Sequence, residues 1–221
     1  MKKIAILSVN KFQNLLQFLL LPLAFLHVYI INNLLKTLKL LFIIPYYNSL
    51  LYIKFKKLGK NIVIKFFDMN IIGHKYIEFG DNILIGKSFR IEAIKLKDNN
   101  KLPKIVIGSN VQINDYCHFG ACQLIEINDG CLIASNVFIT DHFHGKNDLQ
   151  SLELEPLNRE IYIKGSVIIK ENCWIGEGVS IMPNVTLGKN CIVGSNSVVT
   201  KSFPNNSILA GNPARILKTI I

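Results

Sequence analysis

Residues 167–200 read VIIKENCWIGEGVSIMPNVTLGKNCIVGSNSVVT, and this stretch divides into blocks of six. In these blocks the third position is aliphatic, the first is small or β-branched, and the sixth is usually Asn or Gly. The third-position residues are Ile169, Ile175, Ile181, Leu187, Val193 and Val199. A six-residue period matches neither the period of an α-helix, about 3.6 residues, nor the simple alternation of one strand. The pattern predicts a short strand followed by a turn, repeated many times.

The same register occurs upstream between residues 107 and 139, and more loosely in YIEFGDNILIGKS. The apolar third positions there are Ile107, Ile113, Phe119, Ile127, Ile133 and Ile139, with Phe79 and Ile85 in the looser stretch. Three blocks would form one coil of a triangular solenoid, with Gly or Asn at the corners. Coils would stack at about 4.8 Å, so Cys173 would lie over Cys191. A β-sandwich is the alternative, but its strands show no strict hexad.

Two stretches interrupt the hexads. Residues 91–104 break the pattern and are expected to form a loop or an irregular coil. The chain is also expected to leave the solenoid after Ile139, run to about Glu160, and resume at Ile161. Four of the five cysteines occupy the first hexad position, so we interpret them as small buried residues rather than disulfides or metal ligands.

The net charge of +10 is confined to the N-terminal part of the chain. Residues 1–67 contain ten lysines and no acidic residue, whereas fifteen basic and fifteen acidic residues balance from Asp68 onward. A basic and apolar segment suits an anionic membrane surface. Nucleic acid is not predicted as a partner, because there is no Arg-rich patch or nucleic-acid-binding motif.

The N-terminal segment is apolar enough to interact with a membrane. Residues 12–35 carry no charge, and two helices are predicted at roughly 11–21 and 22–43. Pro22 would open the second helix and Pro45 would end it. The pair could lie on the membrane, pack within an oligomer, or contribute a spanning helix. If it spans, the lysines that follow would keep the larger domain cytoplasmic.

The hexads, the sequence DHFHG at residues 141–145 and the ending VVTKSFPNNSILAGNPARILK at residues 198–218 resemble the left-handed β-helix acyltransferases. The chain is similar to the O-acetyltransferases of the galactoside, maltose and serine type. It is most similar to their relatives that acetylate sugars of capsules, O-antigens and exopolysaccharides. The resemblance covers residues from about 58 to 218.

The resemblance implies an all-β fold, a left-handed parallel β-helix that follows an apolar, basic, α-helical segment at residues 1–57. The β-helix would span residues 58–205 with a loop at 142–160, and residues 206–221 would form a tail beside the coenzyme A groove. It also implies a homotrimer that uses acetyl-CoA as co-substrate and no metal. By position, His142 would be the general base and Asn114 would bind the acceptor. The residues implied for the CoA groove are Trp174, Thr200, Lys201 and Arg215. One departure is Phe143, because the galactoside and maltose enzymes have proline after the catalytic histidine.

Transfer of an acetyl group to a hydroxyl requires a base, and an unperturbed histidine, with a pKa near ~6.5, suits that role at neutral pH. Asp141 either orients the ring of His142 or solvates the turn, and the second interpretation is preferred. His144 either binds the acceptor or lies on an exposed loop. His118 is interpreted as a surface residue, and His27 and His74 as structural. The loop acids that could bind sugar hydroxyls are Asp148, Glu153, Glu155 and Glu160.

A metal site is the alternative interpretation of this stretch, because Asp141, His142 and His144 offer ligands. The γ-class carbonic anhydrases bind zinc on this fold through a loop with two histidines five apart, and this sequence has no such pair. The sequence therefore predicts an enzyme that needs no metal.

The prediction is an O-acetyltransferase on the cytoplasmic side of the bacterial inner membrane. It would move acetyl from acetyl-CoA to a sugar hydroxyl of a lipid-linked or nucleotide-linked polysaccharide precursor. The alternatives are an acetyltransferase for a small soluble acceptor, such as serine or a free sugar, and a non-catalytic trimeric membrane scaffold. If the N-terminal helices pack within the oligomer, the protein would be cytoplasmic.

Overall fold

The structure is a computed structural model that describes residues 16–43, 46, 49, 55–65, 68–97 and 102–220. The chain divides into two compact units, residues 1–46 and residues 47–221. The first unit contains one long helix, and the second contains the repeats. The first strand of the repeats begins at Lys57, near the predicted boundary.

The N-terminal unit contains one continuous helix, α1 (Leu16–Ile43), which is π-helical at Leu26–Ile31 and Lys39–Ile43. The prediction of two helices that meet at Pro22 is therefore wrong. Proline fixes φ near about −65°, which is itself a helical value. Its ring also removes one backbone donor and crowds the carbonyl of the preceding turn at a cost of about 3 kcal/mol, which can kink a helix without ending it. The part of the first predicted helix before Leu16, and Pro45, lie outside the described residues.

Three parallel sheets form the sides of a triangular prism. Sheet A contains β1 (Lys57–Leu58), β4 (Ile77–Phe79), β7 (Lys104–Ile107), β10 (Leu124–Ile127), β15 (Val167–Ile169) and β18 (Thr186–Leu187). Sheet B contains β2 (Ile62–Ile64), β5 (Ile83–Ile85), β8 (Gln112–Ile113), β11 (Leu132–Ile133), β16 (Trp174–Ile175), β19 (Ile192–Val193), β21 (Ser207–Gly211) and β22 (Ala214–Thr219). Sheet C contains β3 (Asn70–Ile72), β6 (Arg90–Ala93), β9 (His118–Ala121), β12 (Phe138–Thr140), β17 (Ser180–Ile181) and β20 (Val198–Val199).

Successive strands of the prism join sheets A, B and C in turn, and each pairs in parallel with the strand of the next coil. The predicted parallel β-helix is thereby confirmed. Cys191 follows Cys173 by one coil, as the hexads predict, because Ile192 pairs with Trp174. All five cysteines are free and buried, so their interpretation as core residues is confirmed.

The third hexad position fills the prism. These residues are at most 1% exposed from Ile107 to Val199, and their side chains form one continuous core. Burial of a large aliphatic side chain contributes about 1.5–3 kcal/mol, so this column is the main source of stability.

Asparagine shapes the corners of the prism. Nine corner asparagines have positive φ in the described part of the chain: Asn61, Asn82, Asn110, Asn136, Asn172, Asn184, Asn190, Asn196 and Asn206. Asparagine tolerates this left-handed conformation better than β-branched residues do. Several corner amides also bond to the next coil, as Asn82 does to Asn110 at 3.0 Å and Asn190 to Asn206 at 2.8 Å.

The first interruption is shorter than predicted. Strand β6 occupies Arg90–Ala93, and Ile91 is fully buried opposite Phe119. The prediction of a loop or irregular coil from residue 91 is therefore wrong for residues 91–93. Phe89 occupies the first hexad position of this block, which is otherwise small or β-branched. Phe89 fits because it is fully buried and packs edge-on against Phe119, with ring centroids 5.0 Å apart.

The second interruption is longer than predicted. It contains a hairpin of β13 (His142–His144) and β14 (Ile161–Ile163), the short helix α2 (Leu149–Leu152) and a 3₁₀ turn at Pro156–Asn158. A further 3₁₀ turn, His74–Tyr76, lies between β3 and β4. The prism resumes with β15 and not at Ile161. The alternation of β14 resembles a prism strand in sequence, but β14 pairs with β13, and the chain rejoins sheet A only at Val167.

The C-terminal segment extends the prism. Strand β21 pairs in parallel with β19, and β22 turns back antiparallel on β21. The residues predicted to form a tail beside the CoA groove are thus strands at the end of sheet B.

Candidate active site

Asp141 lies directly after β12, where the chain leaves the prism, and its side chain is fully buried. One carboxylate oxygen accepts the backbone N–H of Cys122 at 2.8 Å. The other accepts those of Gln123 at 2.7 Å and Leu124 at 2.8 Å. These three donors belong to the corner one coil earlier, so Asp141 anchors the departing chain to the preceding coil. The N–H donors balance the burial of the carboxylate, which would otherwise be costly.

The same carboxylate holds the ring of His142. Nδ1 of His142 lies 2.9 Å from Oδ1 of Asp141, and the histidine side chain is 11% exposed. Because a carboxylate accepts, Nδ1 donates, and Nε2 of the neutral ring keeps its lone pair. Thr140 adds a second constraint, since its hydroxyl donates to the carbonyl oxygen of His142 at 3.2 Å. The preferred interpretation of Asp141 as a residue that merely solvates a turn is therefore wrong.

Gly120 creates the space beside His142. On the outer face of sheet C, Glu92, Gly120 and Thr140 are neighbours on three successive coils. A Cβ at Gly120 would lie 3.5 Å from Cε1 of His142 and 3.7 Å from Nε2 of His118. The two imidazoles therefore lie on either side of the gap left by the missing side chain.

This gap belongs to a cleft of about 480 Å³. Its apolar walls are Ile72, Ile94, Phe138, Phe143 and Met182, and its polar lining is Arg90, Glu92, His118, Thr140, His142 and His144. Aromatic and aliphatic walls with a few convergent polar groups are typical of small-molecule sites.

His118 is part of this cleft, contrary to its interpretation as a surface residue. Its Nε2 donates to Oε2 of Glu92 at 3.1 Å, and Oε1 of Glu92 accepts from Nε of Arg90 at 2.8 Å. Burial lowers the pKa of His118, and the bond to Glu92 opposes this shift without cancelling it. Burial also tends to raise the pKa of Glu92, but the bonds from Arg90 and His118 hold that pKa below its ordinary value.

Cys122, Asp141 and His142 are close enough to be tested as a metal site, because their ligand atoms lie within 4.8 Å of one another. The donor set does not suit a metal. Both oxygens of Asp141 already accept hydrogen bonds, and Nδ1 of His142 donates to one of them. Burial and the charge of Asp141 raise the pKa of the Cys122 thiol to about 12, so the thiolate that would bind a metal is disfavoured.

The other predicted site residues lie in several places. His144 lines the cleft but is exposed. Asn114 follows β8 in sheet B and accepts a hydrogen bond from Gln112 at 2.8 Å. Trp174 lies two coils farther along the same sheet and is 51% exposed. Neither residue lines the described cleft.

The remaining predicted CoA residues lie near the C-terminal end of the prism. Thr200 follows β20, one coil beyond the cleft residue Met182, whose N–H bonds to Val199. Lys201 is exposed, with its amine 5.7 Å from the ring centroid of Phe203. Arg215 is exposed on β22 and donates to the carbonyl oxygen of Ala214 at 2.9 Å.

Sequence reasoning missed Arg90, Glu92 and Gly120 as cleft residues. One signal was present, since Arg90 and Glu92 flank buried Ile91 and so share the outer face of one strand. The pairing of Arg90 with His118, and of Glu92 with Gly120, could not be predicted from the six-residue period. An insertion separates the coil of β6 from the coil of β9.

Sequence comparisons agree with this geometry. The family described as bacterial transferase hexapeptide (six repeats) matches residues 166–201. The Escherichia coli (strain K12) protein WbbJ, named as a lipopolysaccharide biosynthesis O-acetyl transferase, is 37% identical over 145 residues, or 64% of this chain and 71% of WbbJ. A galactoside O-acetyltransferase of the same strain is 34% identical over 124 residues, 51% of this chain and 56% of that enzyme. This chain thus spans only about half of the galactoside enzyme. It belongs to the hexapeptide-repeat acyltransferase family.

Solved structures show the same architecture. A mutant of AntD, an N-acyltransferase from Bacillus cereus in complex with dTDP and coenzyme A, matches with a TM-score of 0.64 and 25% identity. The match covers 78% of this chain and 88% of AntD. The hexapeptide-repeat acetyltransferase VCA0836 from Vibrio cholerae, solved with acetyl-coenzyme A, matches with a TM-score of 0.52 over 79% of this chain and 76% of that one. At 23% identity, the second match shows the fold alone.

The anchoring role of Asp141 predicts a stability effect. In Asp141→Asn, the amide NH₂ would face backbone N–H donors, and the charge-assisted bonds would be lost. We expect the free energy of unfolding to fall by about 1.5–3 kcal/mol. Asp148→Asn is the matched control, because Asp148 is an exposed cap of α2 and Asn caps as well as Asp does. Urea unfolding measures both, and equal stability of the two variants would contradict the role of Asp141.

Proposed function

We propose that the protein is an O-acetyltransferase that moves acetyl from acetyl-CoA to a sugar hydroxyl of a surface-polysaccharide precursor, with His142 as general base. The observation that carries this proposal is the pair of His142 and buried Asp141 at the wall of a small cleft. The fold and family membership support the reaction class. WbbJ and the galactoside enzyme are named for O-acetyl transfer.

In the proposed reaction, Nε2 of His142 takes the proton of the acceptor hydroxyl as its oxygen attacks the thioester carbonyl carbon. The tetrahedral intermediate then expels the CoA sulfur, which takes the proton from His142, so the products are an ester and a free thiol. Asp141 stays bonded to Nδ1 throughout, which fixes the tautomer and steadies the charged ring. Placement of both substrates beside the rigid coils supplies orientation.

The cleft suits a sugar as the acceptor. Its volume of about 480 Å³ is in the range of small-molecule sites. Phe138 and Phe143 offer aromatic surface to the apolar side of a ring, and His142 and His144 offer polar contacts. A variant of AntD has been solved with dTDP-4-amino-4,6-dideoxyglucose and coenzyme A, so a nucleotide-linked sugar occupies a neighbour of this fold. We assign Asn114 and His144 to acceptor binding.

Acetyl-CoA would extend from the cleft toward the C-terminal end of the prism. Met182 lines the cleft, and Thr200 and Lys201 follow one coil beyond it. Lys201 and Arg215 are exposed cations suited to the phosphates of CoA. Trp174 offers an exposed aromatic surface on sheet B. We therefore assign Trp174, Thr200, Lys201 and Arg215 to CoA binding.

His142→Ala tests the proposed base. The variant should fold and bind CoA but lose transfer by about two to four orders of magnitude, because general-base catalysis contributes that much. The measurement is mass-spectrometric detection of free CoA with a panel of sugar acceptors, since the five free thiols of the protein would react in a colour assay. His74→Ala is the control, because His74 is exposed in a turn and is not among the residues that line the cleft. Transfer by His142→Ala near the rate of the wild type would refute the assignment.

We also propose that three copies assemble. An apolar stripe, interrupted once by Gln112, follows the outer face of sheet B through Val63, Leu84, Leu132, Trp174 and Ile192. Val63, Leu132 and Trp174 are 41%, 37% and 51% exposed. A stripe of this kind is typical of an interface.

Native mass spectrometry of the full chain released from detergent should give three times the mass of one chain. Leu132→Glu should dissociate this trimer, because it places a charge in the stripe. Leu102→Glu should leave it intact, because Leu102 is exposed away from sheet B. A monomeric wild type, or equal behaviour of the two variants, would overturn the assembly.

We propose further that α1 associates with the membrane and that the β-helix faces the cytoplasm. α1 is long and apolar enough to cross a membrane, by length and composition alone. Its large apolar side chains are exposed, Phe18 at 73% and Phe42 at 65%. The donors of Asn33 and Thr37 bond to the carbonyl oxygens one turn earlier, so these polar groups are satisfied within the helix. Lys36 and Lys39 lie toward its C-terminal end, as the positive-inside rule requires.

Flotation of the full chain with lipid vesicles tests membrane association. The chain should float with both neutral and anionic vesicles, and more strongly with anionic ones. Lys36→Glu with Lys39→Glu should weaken the anionic preference by roughly tenfold or more, since each surface lysine contributes about 1 kcal/mol. Lys146→Glu with Lys164→Glu is the control, because it changes the net charge equally on the β-helix. A chain that remains unbound to both vesicle types would contradict the proposal.

A further inference from the structure

A second carboxylate–histidine pair lies in the cleft across Gly120 from Asp141 and His142. Arg90 and Glu92 share the outer face of β6, and His118 lies opposite Arg90 on the next coil. Glu92 accepts from Arg90 at 2.8 Å and from His118 at 3.1 Å. The position opposite Glu92 is Gly120, so no side chain separates the carboxylate from the open cleft.

The prism itself does not require this carboxylate. The adjacent coils have Ile72 and Gly120 at the positions that pair with Glu92. Glu92 is nevertheless 4% exposed, and an ionised group buried in a cleft wall is costly unless it has partners. Charged groups retained at such a cost are concentrated at functional sites.

Glu92 also has unused capacity to accept hydrogen bonds. An ionised carboxylate has about four lone-pair positions, and Arg90 and His118 occupy two of them. A carboxylate can only accept, so a ligand must present a donor to it. A hydroxyl is such a donor, whereas an ionised carboxylate or phosphate is not.

The charges of the cleft disfavour an anionic ring beside His142. Arg90 is the permanent cation among the lining residues, and its Nε is already bonded to Glu92. Burial lowers the pKa of His118, which favours the neutral form of this ring. An anionic group beside His142 would therefore approach two carboxylates, Glu92 and Asp141, while Arg90 already shares its charge with Glu92.

We propose that Arg90, Glu92 and His118 form a hydroxyl-recognition subsite that selects an uncharged sugar ring, with Glu92 accepting a hydrogen bond from a second hydroxyl of the acceptor. This inference rests on the proposed acetyltransferase function and narrows its substrate class. Phosphates of a lipid-linked or nucleotide-linked precursor would lie outside the cleft, and only the ring would enter it.

The test measures acetyl-CoA-dependent CoA release with matched acceptors. The panel is the methyl α-glycosides of glucose, galactose and mannose together with their uronic acid counterparts, in which a carboxylate replaces the C6 hydroxymethyl group. The kcat/KM of the wild type should be at least about tenfold higher for the best neutral glycoside than for its acidic partner. The acidic partner would lose one charge-assisted hydrogen bond to Glu92, and its carboxylate would be repelled by Glu92. Glu92→Gln should raise the KM of the neutral glycoside about tenfold, change kcat less, and reduce the preference for neutral over acidic partner.

Glu78→Gln is the matched control. Glu78 is another ion-paired glutamate, bonded to Lys56 on sheet A, and it is far from the cleft lining. It should leave KM and acceptor preference unchanged. Equal use of neutral and acidic partners by the wild type, or Glu92→Gln kinetics equal to those of Glu78→Gln, would overturn the subsite and leave the acetyltransferase function standing. Absence of acceptor-dependent CoA release across the panel would overturn both.

Discussion

The structure depends on one constraint, which is that every six residues the chain must bury the side chains of its first and third positions and then turn a corner. The third-position residue is aliphatic or aromatic and almost fully enclosed. The corner requires backbone angles that asparagine and glycine accept, and corner amides bond from coil to coil. Because both requirements recur at each coil, the coils stack in a fixed register, and side chains on the outer face occupy a rigid grid.

Asp141 fixes the position of His142 relative to the rigid coils of the prism. The chain leaves the prism after β12, and a departing loop would normally be the most mobile part of such a fold. Here the first residue of the departure is tied to three backbone N–H groups of the preceding corner. His142 is the next residue and shares the same carboxylate. The proposed base is therefore held by the prism, although it lies on a loop that carries its own hairpin and helix.

The sequence was sufficient for the features that repeat. The hexads predicted the prism, the buried column and the stacking of Cys173 over Cys191. It was also sufficient to place His142 at the departure of a loop, because the repeat stops there. The sequence did not predict a strand where an unusual residue occupies a repeat position. Strand β6 was missed because Phe89 takes a position that is otherwise small, and its ring is accommodated by edge-on packing against Phe119.

The partners of the site could not be predicted for a different reason. The alignment of Glu92 with Gly120 depends on the length of an insertion between their coils, and the hexad period does not give that length. Likewise, the anchoring of Asp141 depends on N–H groups at residues 122–124, which come close only after a full coil has formed. Local pattern places the histidine that we propose as the base, whereas the tertiary register determines what holds it and what faces it.

The distribution of the proposed site residues favours a shared active site. The cleft lies on the outer face of sheet C, and His142 begins β13 just after the end of β12 in that sheet. Trp174 lies in sheet B of the same copy, and Asn114 directly follows strand β8 of sheet B. A rigid prism cannot bring two of its own faces together, since the buried core lies between them. If Asn114 and Trp174 serve the acceptor and CoA, they must serve the cleft of a neighbouring copy. A threefold arrangement that places sheet B of one copy against sheet C of the next would satisfy this condition at every cleft. It would also cover the apolar stripe of sheet B, so that assembly and catalysis would require the same contact.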